Sequence, residues 1–361
     1  MDAERMRRAL ELAEAAEGSV APRPPVGAVV CDPDGLVVGE GATHPEAGPH
    51  AEVAALAQAG ARARGATLYV TLEPCCFTGR TPPCTEAVIA AGLSRVVVAR
   101  RDPHPRVNGA GMAALRTAGI DVVVGPGRVR AGRLIEPFVH HVRTGRPMVT
   151  LKAAMTLDGK VAAPDRTSRW ISSEDARRQA HDLRRRCDAV LVGAGTVEAD
   201  DPALTCRLDG VGAAHQPVRV VTDRSGRTPP TAKIFHGGAR SIVMTTQAAS
   251  DEHRAAWSAA GAEVVVLAGT ETGVSPGDVL DALGARGVCH LLVEGGPTLA
   301  ASFVEAGLVD RYVLFLAPKL IGGEAPGLLT HGVKTLTEAH ALRIDRVSRV
   351  GEDIRIDGRP S

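Results

Sequence analysis

Apolar positions along the chain alternate between two periods. Short β-branched runs bounded by glycine or polar residues read as strands, and the alanine-rich segments between them carry apolar residues at helical spacing. In the first part the strand-like runs are VGAVVCD (26–32), TLYVTLE (67–73), RVVVAR (95–100) and DVVVG (121–125). Helical patterns lie between them: AEVAALAQAGARARG closing on Gly65, CTEAVIAAG on Gly92 and GAGMAALRTAG on Gly119, glycine being the usual stop. A further helix over 128–143 leads into RTGRP, a polar break containing glycine and proline. Seven more strand-like runs follow: MVTLKAAM (148–155), AVLVGAG (189–195), VRVVTD (218–223), SIVMTT (241–246), EVVVLAG (263–269), HLLVEGG (290–296) and YVLFLAP (312–318). The pattern predicts an α/β protein of two domains, 1–145 and 146–361, which a length of 361 residues also favours.

Composition narrows the class. Aromatics make up only 2%, so the cores must be built from Ala, Val and Leu. The formal net charge is +1 with no long run of like charges, which weighs against a nucleic-acid partner. The first residues, MDAERMRRALELAEAAEG, mix acids and bases at helical spacing and lack the apolar stretch of a signal peptide. No apolar run approaches the ~18 residues of a membrane span. Seven cysteines, an odd number, fit a reducing cytoplasm, where clustered thiols are more often ligands or catalytic groups than disulfides.

Three of those cysteines, Cys75, Cys76 and Cys84, fall within TLEPCCFTGRTPPC (71–84), and His50 and Glu52 stand upstream in PHAEVAAL. The order H-x-E, then P-C, then C is that of zinc deaminases. Catalytic zinc takes three protein ligands and leaves a fourth position for a water, whose pKa it lowers to about 7. One imidazole and two thiolates suffice, so His50, Cys75 and Cys84 are the expected ligands. Glu52 is expected to move protons from that water to a ring nitrogen and then to leaving ammonia. Cys75 is expected at a helix N-terminus, where N–H groups favour the thiolate. Cys76, its neighbour, points in a different direction and is expected to line the pocket. Two other uses stay open: a structural zinc site with Cys76 or His44 as fourth ligand, and a Cys75–Cys84 disulfide.

HAEVAAL, TLYVTLEPC and TGRTPPC, with eight residues between Cys75 and Cys84, resemble the deaminase domain of the bifunctional riboflavin-biosynthesis enzymes. These are the diaminohydroxyphosphoribosylaminopyrimidine deaminase/5-amino-6-(5-phosphoribosylamino)uracil reductases. VTLKAAMTLDGKVA, SRWISSEDAR, LVGAGTVEADDPALTCR, LLVEGGPTLAASFVEAGLVD and APKLIGG resemble the reductase domain of the same family, so the likeness runs over nearly the whole chain. The resemblance implies a cytidine-deaminase-like domain followed by a dihydrofolate-reductase-like one. It implies zinc-dependent loss of the exocyclic amine of a phosphorylated pyrimidinone, then reduction of its ribosyl group to ribityl by NADPH. It also implies a cytoplasmic homo-oligomer acting on a small molecule, with neither nucleic acid nor membrane as partner. The same likeness places Arg80 against substrate, and Lys152 and Glu294 at the centre of the reduction. Ala154, Trp170, Thr196 and Asp200 match cofactor contacts, as do Gly296, Pro297 and Thr298 with the following Leu299, Ala300, Ala301 and Ser302. Ser168, Arg184, Leu204, Arg207 and Glu294 match substrate contacts.

Several residues support these roles by themselves. HLLVEGGPTLAASF is a strand, two glycines and a proline at the first helical position; free N–H groups at such a start bind phosphate, although a Gly-Gly before a helix is more often just a tight αβ connection. Arg184 and Arg207 have the fork that holds a ribose phosphate bidentately. Lys152 interrupts an apolar strand, and a buried ammonium needs a partner, for which Glu294 is the candidate. Asp200 and Asp201 read as a solvated turn before Pro202, and Trp170 by default as a packing residue. Three positions depart from the family's commoner pattern: Arg23 for an asparagine, Cys76-Phe77-Thr78 for a serine–histidine segment, and Arg224 for a small hydroxyl residue. The first two motivate an alternative, a relative with one working site in a specialised pyrimidine pathway. Arg224 is expected to favour NADPH by meeting its 2′-phosphate.

Overall fold

The structure, a computed structural model, describes Met1 to Ser361 except residues 46–47, 80, 166, 209–210, 214, 271–272 and 331 and the side chain of residue 208. The chain forms two compact units, Met1–Thr144 and Gly145–Ser361.

In the first unit, helix α1 (Asp2–Ala15) precedes strands β1 (Gly27–Cys31) and β2 (Val37–Ala42). Helix α2 (Ala51–Ala59), β3 (Thr67–Val70), α3 (Cys84–Ala90), β4 (Arg95–Val98), α4 (Ala110–Thr117) and β5 (Asp121–Val124) follow. The sheet order is β2-β1-β3-β4-β5, with β1 antiparallel to both neighbours and β3, β4 and β5 parallel. The central strands β1, β3 and β4 are almost wholly apolar and buried because both faces are covered. Val29, Cys31, Tyr69 and Val97 pack under α1, while Ala28, Val30, Leu68, Val70 and Val96 pack under α2, α3 and α4.

Strand β2 has no counterpart among the predicted runs. It is interrupted by Gly39 and Gly41, and the reason lies above it. A Cβ on Gly39 would meet the Ala55 carbonyl oxygen at 2.1 Å, and one on Gly41 the Ala51 carbonyl oxygen at 2.3 Å. The backbone of α2 rests directly on these glycines. The helix expected over 128–143 is divided into α5 (Arg128–Leu134) and α6 (Glu136–Thr144). Pro137 accounts for the break: it has no N–H to continue the ladder and favours a first helical turn.

The second unit is a nine-stranded sheet. Its elements are β6 (Met148–Thr156), α7 (Glu174–Arg186), β7 (Ala189–Gly193), α8 (Ala194–Asp200), the short pair β8 (Arg207–Leu208) and β9 (Val211–Gly212), β10 (Val218–Thr222) and β11 (Ser241–Thr245). Then come α9 (Asp251–Ala259), β12 (Glu263–Val266), α10 (Pro276–Gly284), β13 (His290–Val293), α11 (Pro297–Glu305), β14 (Arg311–Ala317), β15 (Leu342–Val350) and β16 (Asp353–Pro360). The order β12-β11-β10-β7-β13-β6-β14-β16-β15 is parallel up to β14, after which β16 and β15 run antiparallel. The cores are Val, Leu, Ala and Ile with few aromatics, Trp257 and Phe303 among them.

Hairpin β15–β16 also falls outside the predicted strands. Its sequence, LRIDRVSRVGEDIRIDGRP, alternates charged and apolar residues at a sheet edge, and Gly351 turns it at φ 58°.

Candidate active sites

The ends of three elements converge in the first unit. His50 caps α2, Cys75 follows β3, and Cys84 is the first residue of α3. One donor atom from each lies within 4.8 Å of the others. His50 Nδ1 is 3.1 Å from Cys84 Sγ and 3.6 Å from Cys75 Sγ. All seven cysteines are free, so no disulfide joins Cys75 to Cys84. Among the described residues neither Cys76 nor His44 joins the cluster, which leaves three donors instead of the four of a structural site. A nitrogen and two sulfurs, half-buried or buried, fit zinc with a position to spare.

Cys75 is not itself at a helix start. It lies in the turn after β3, and the N–H of Cys84, opening α3, donates to its sulfur at 3.3 Å. The Cys84 thiol, the His50 ring and that N–H all stabilise a Cys75 thiolate, bringing its pKa to about 4 against the cost of burial. Cys84, donating to Cys75, is pushed well up. Glu52, on the first turn of α2, is 4% exposed, and burial pushes its carboxyl up to about 7. Thr81 Oγ1 lies 3.4 Å from His50 Nε2, an arrangement that turns Nδ1 toward the sulfurs. Thr81→Val is therefore expected to weaken zinc binding about 10- to 100-fold, measured by competition with a chelator.

Two of the residues that depart from the family's commoner pattern have partners of their own. The Cys76 thiol does not turn to the donor cluster; it donates to the Arg106 carbonyl at 3.7 Å. Arg23 donates to the Gly48 and Pro45 carbonyls at 2.8 and 2.7 Å and also to that of His44, clamping the loop that leads into His50. Arg80 lies outside the described residues. Sequence reasoning missed Glu73, whose buried carboxylate accepts from the N–H groups of Asp102, Gly109 and Met112 at 3.1, 2.9 and 3.0 Å. A charged residue in an apolar strand run was the available signal.

In the second unit, neighbouring strands bring Lys152 of β6 beside Glu294, which follows β13; their charged atoms are 3.6 Å apart. Arg184 of α7 grips the same carboxylate with two nitrogens, at 2.6 and 3.0 Å, and donates to the Thr205 carbonyl at 3.2 Å. This differs from the expected phosphate grip: the guanidinium fork is committed to Glu294. Arg207 is exposed on β8. Burial works to raise the Glu294 carboxyl, but Arg184 and Lys152 outweigh it and hold it at about 2. Leu204 is buried with φ 50°, a conformation that a branched residue adopts only where its surroundings impose it.

The cofactor candidates gather at the C-terminal ends of the parallel strands. Thr196 Oγ1, in α8, accepts the Gly296 N–H at 3.1 Å, and a Cβ on Gly193 would lie 3.9 Å from Thr222 Oγ1 and 4.0 Å from Leu299 Cβ. Of the 296–302 segment, Ala300 and Ala301 are buried in the core, and Ser302 Oγ donates back to the Leu299 carbonyl at 2.8 Å. Thr298 is exposed and Gly296, Pro297 and Leu299 are half-buried, and the N–H groups of Thr298 and Leu299 are the ones α11 offers to an anion. Trp170 is not a packing residue: it is 62% exposed, with the Arg177 guanidinium 4.4 Å over its ring. Arg169 ties its loop, including half-buried Ser168, to Asp200 through an ion pair at 3.4 Å. Ala154 lies half-buried on β6. Arg224, two residues beyond β10, is exposed, its carbonyl accepting from Thr246 Oγ1 at 2.9 Å; among the described residues its guanidinium has no partner.

Known proteins share both halves. Residues 1–100 match the family described as cytidine and deoxycytidylate deaminase zinc-binding region, and residues 147–356 match the RibD C-terminal domain. The riboflavin biosynthesis protein RibD of Aquifex aeolicus is 44% identical over 99% of this chain and 98% of its own length. That of Escherichia coli is 40% identical over 97% of this chain and 96% of its own. Acinetobacter baumannii RibD has a TM-score of 0.87 at 36% identity, covering 100% of this chain and 99% of that one. A diaminohydroxyphosphoribosylaminopyrimidine deaminase/5-amino-6-(5-phosphoribosylamino)uracil reductase from Thermotoga maritima gives 0.85 at 36% identity with the same coverage. With both domain families in one chain, and relatives at such identity running its whole length, the chain belongs to the RibD family of bifunctional riboflavin-biosynthesis proteins.

Proposed function

We propose that residues 1–145 remove the exocyclic amine of 2,5-diamino-6-ribosylamino-4(3H)-pyrimidinone 5′-phosphate. Residues 146–361 then use NADPH to reduce the ribosyl group, giving 5-amino-6-ribitylaminouracil 5′-phosphate. The observation that carries the reading is the convergence of His50, Cys75 and Cys84 beside buried Glu52. Zinc held by those three donors supplies a Lewis acid that makes water nucleophilic near neutral pH. Glu52 takes one proton from the attacking water and delivers it to the ring nitrogen, then takes the second from the newly added hydroxyl and gives it to the departing amine, which leaves as ammonia. Thr81 keeps the His50 ring oriented, and Cys84 N–H keeps Cys75 ionised.

For the second step NADPH, when bound, would supply the hydride that the anomeric carbon needs, and the ring oxygen released from that carbon needs a proton. We assign Lys152 as the proton source for that oxygen, with Glu294 holding the ammonium in place and Arg184 fixing Glu294. The α11 N–H groups of Thr298 and Leu299 receive the cofactor's phosphates, and Arg224 its 2′-phosphate. Arg224→Ala is expected to lower NADP⁺ affinity about tenfold or more while leaving NAD⁺ affinity within twofold, measured by fluorescence titration. Equal change for both dinucleotides would remove Arg224 from that role.

We place the enzyme in the cytoplasm, as a homo-oligomer. Seven free cysteines support the compartment. Ile344, Val347 and Ile354, which share one exposed face of the terminal hairpin, support association. No helix among the described residues is long and apolar enough to cross a membrane. One experiment tests the whole reading: zinc content, ammonia release from the diaminopyrimidinone phosphate, and NADPH oxidation once the deaminated product has formed. Zinc with both turnovers is the expected result. NADPH oxidation on supplied product without ammonia release would instead mark a chain with one working site.

A further inference from the structure

The turn that carries Cys75 also carries an arginine platform that the steps above leave unused. Phe77, two residues past Cys75, stacks on the His104 ring with 5.7 Å between centroids. The Arg106 guanidinium lies over the same Phe77 ring, 3.8 Å from its centroid. The loop bearing Arg106 is fixed at successive points. Glu73 accepts from Asp102 and Gly109, Asp102 Oδ1 accepts the His104 N–H at 2.8 Å, and His104 Nδ1 accepts the Arg106 N–H at 3.2 Å. The Cys76 thiol closes the circuit on the Arg106 carbonyl. The backbone at Arg106 is thus tied to the turn that supplies a zinc donor.

The edge of the guanidinium is another matter. Among the described residues it has no carboxylate or carbonyl partner, whereas Arg23 and Arg101 both donate to main-chain carbonyls. A planar cation held by one face, with its fork of donors open, suits a phosphate approached in the plane of the group. Stacking also restricts the side chain before any ligand arrives, which reduces the entropy lost on binding. Resting on the deaminase reading above, we propose that Arg106, positioned by Phe77, grips the phosphate of the pyrimidine substrate and makes the first site selective for the phosphorylated compound.

The test measures ammonia release from the diaminopyrimidinone phosphate and from the same compound after phosphatase treatment, in the full chain with zinc bound. In Arg106→Ala the preference in kcat/KM for the phosphorylated form should fall roughly ten- to a hundredfold, chiefly through KM. Inhibition by ribose 5-phosphate should weaken in parallel. Arg106→Lys should keep part of the preference, because a point charge replaces the fork, and Phe77→Leu should lose part of it by freeing the guanidinium. An unchanged preference in Arg106→Ala, or a wild type that treats both compounds alike, overturns the assignment and leaves the deaminase reading standing. No ammonia from either compound overturns that reading, and this one with it.

Discussion

A Glu52→Gln variant is expected to lose about 10²- to 10⁴-fold in the rate of ammonia release while keeping its zinc and its NADPH-dependent reductase rate. The amide has nearly the shape of the carboxyl, so the first turn of α2 need not move. What it lacks is a group that alternately accepts and returns a proton. The position makes the loss severe. Glu52 is almost wholly buried, so bulk water is a poor substitute for its proton transfer. Ammonia release and metal content, measured on the same preparation, check the result. A variant that deaminates at near wild-type rate would remove Glu52 from the chemistry.

The second large effect lies at Glu294. One carboxylate there serves two cations, Lys152 and Arg184, whose side chains are 18% and 17% exposed against its own 5%. Glu294→Ala leaves both without a counter-charge, and breaking such a pair from one side costs about 3–5 kcal/mol. The expected result is loss of reductase turnover together with an earlier unfolding transition of the second unit, followed by urea titration of the full chain. Destabilisation below about 1 kcal/mol, within the range of an exposed ion pair, would show that solvent supports the cations after all.

The pH dependence follows with a definite sign. The folded carboxyl, at about 2, lies below the ~4.3 of an unfolded glutamate. Between those values the unfolded chain binds more protons, so stability from this group is complete above about pH 5. It is lost as pH falls through about 2. Glu294→Gln should flatten that limb of the acid-unfolding curve.

Much of this was legible in the sequence, for identifiable reasons. Histidine, glutamate and cysteine at the ends of apolar segments leave few alternatives, because element termini are where a sheet of this kind presents side chains. His50 and Cys84 could therefore be named before the fold was known. Lys152 and Glu294 were legible as charges inside apolar runs. Arg184 was legible as an arginine but not in its partner, since it meets Glu294 across 110 positions of chain and nothing local selects it among so many arginines. Strand β2 was hidden because close helix packing replaced its apolar residues by glycine. Hairpin β15–β16 was hidden because β15, at the sheet edge, and β16 beside it are largely exposed or half-buried and have less need of the apolar runs that mark buried strands. Phe77 and Arg106 were individually visible, but a stack between them exists only after folding.

The bare backbone at Gly39 and Gly41 sets the height of α2 above the sheet, and α2 begins at the imidazole and the proton-moving carboxylate. The spacing of the first reaction centre is therefore governed from beneath, by two positions that no reactant ever meets. Drift at those positions would displace the chemistry while every reactive group remained in the sequence, so motif inspection alone would pass an inert descendant as a working enzyme.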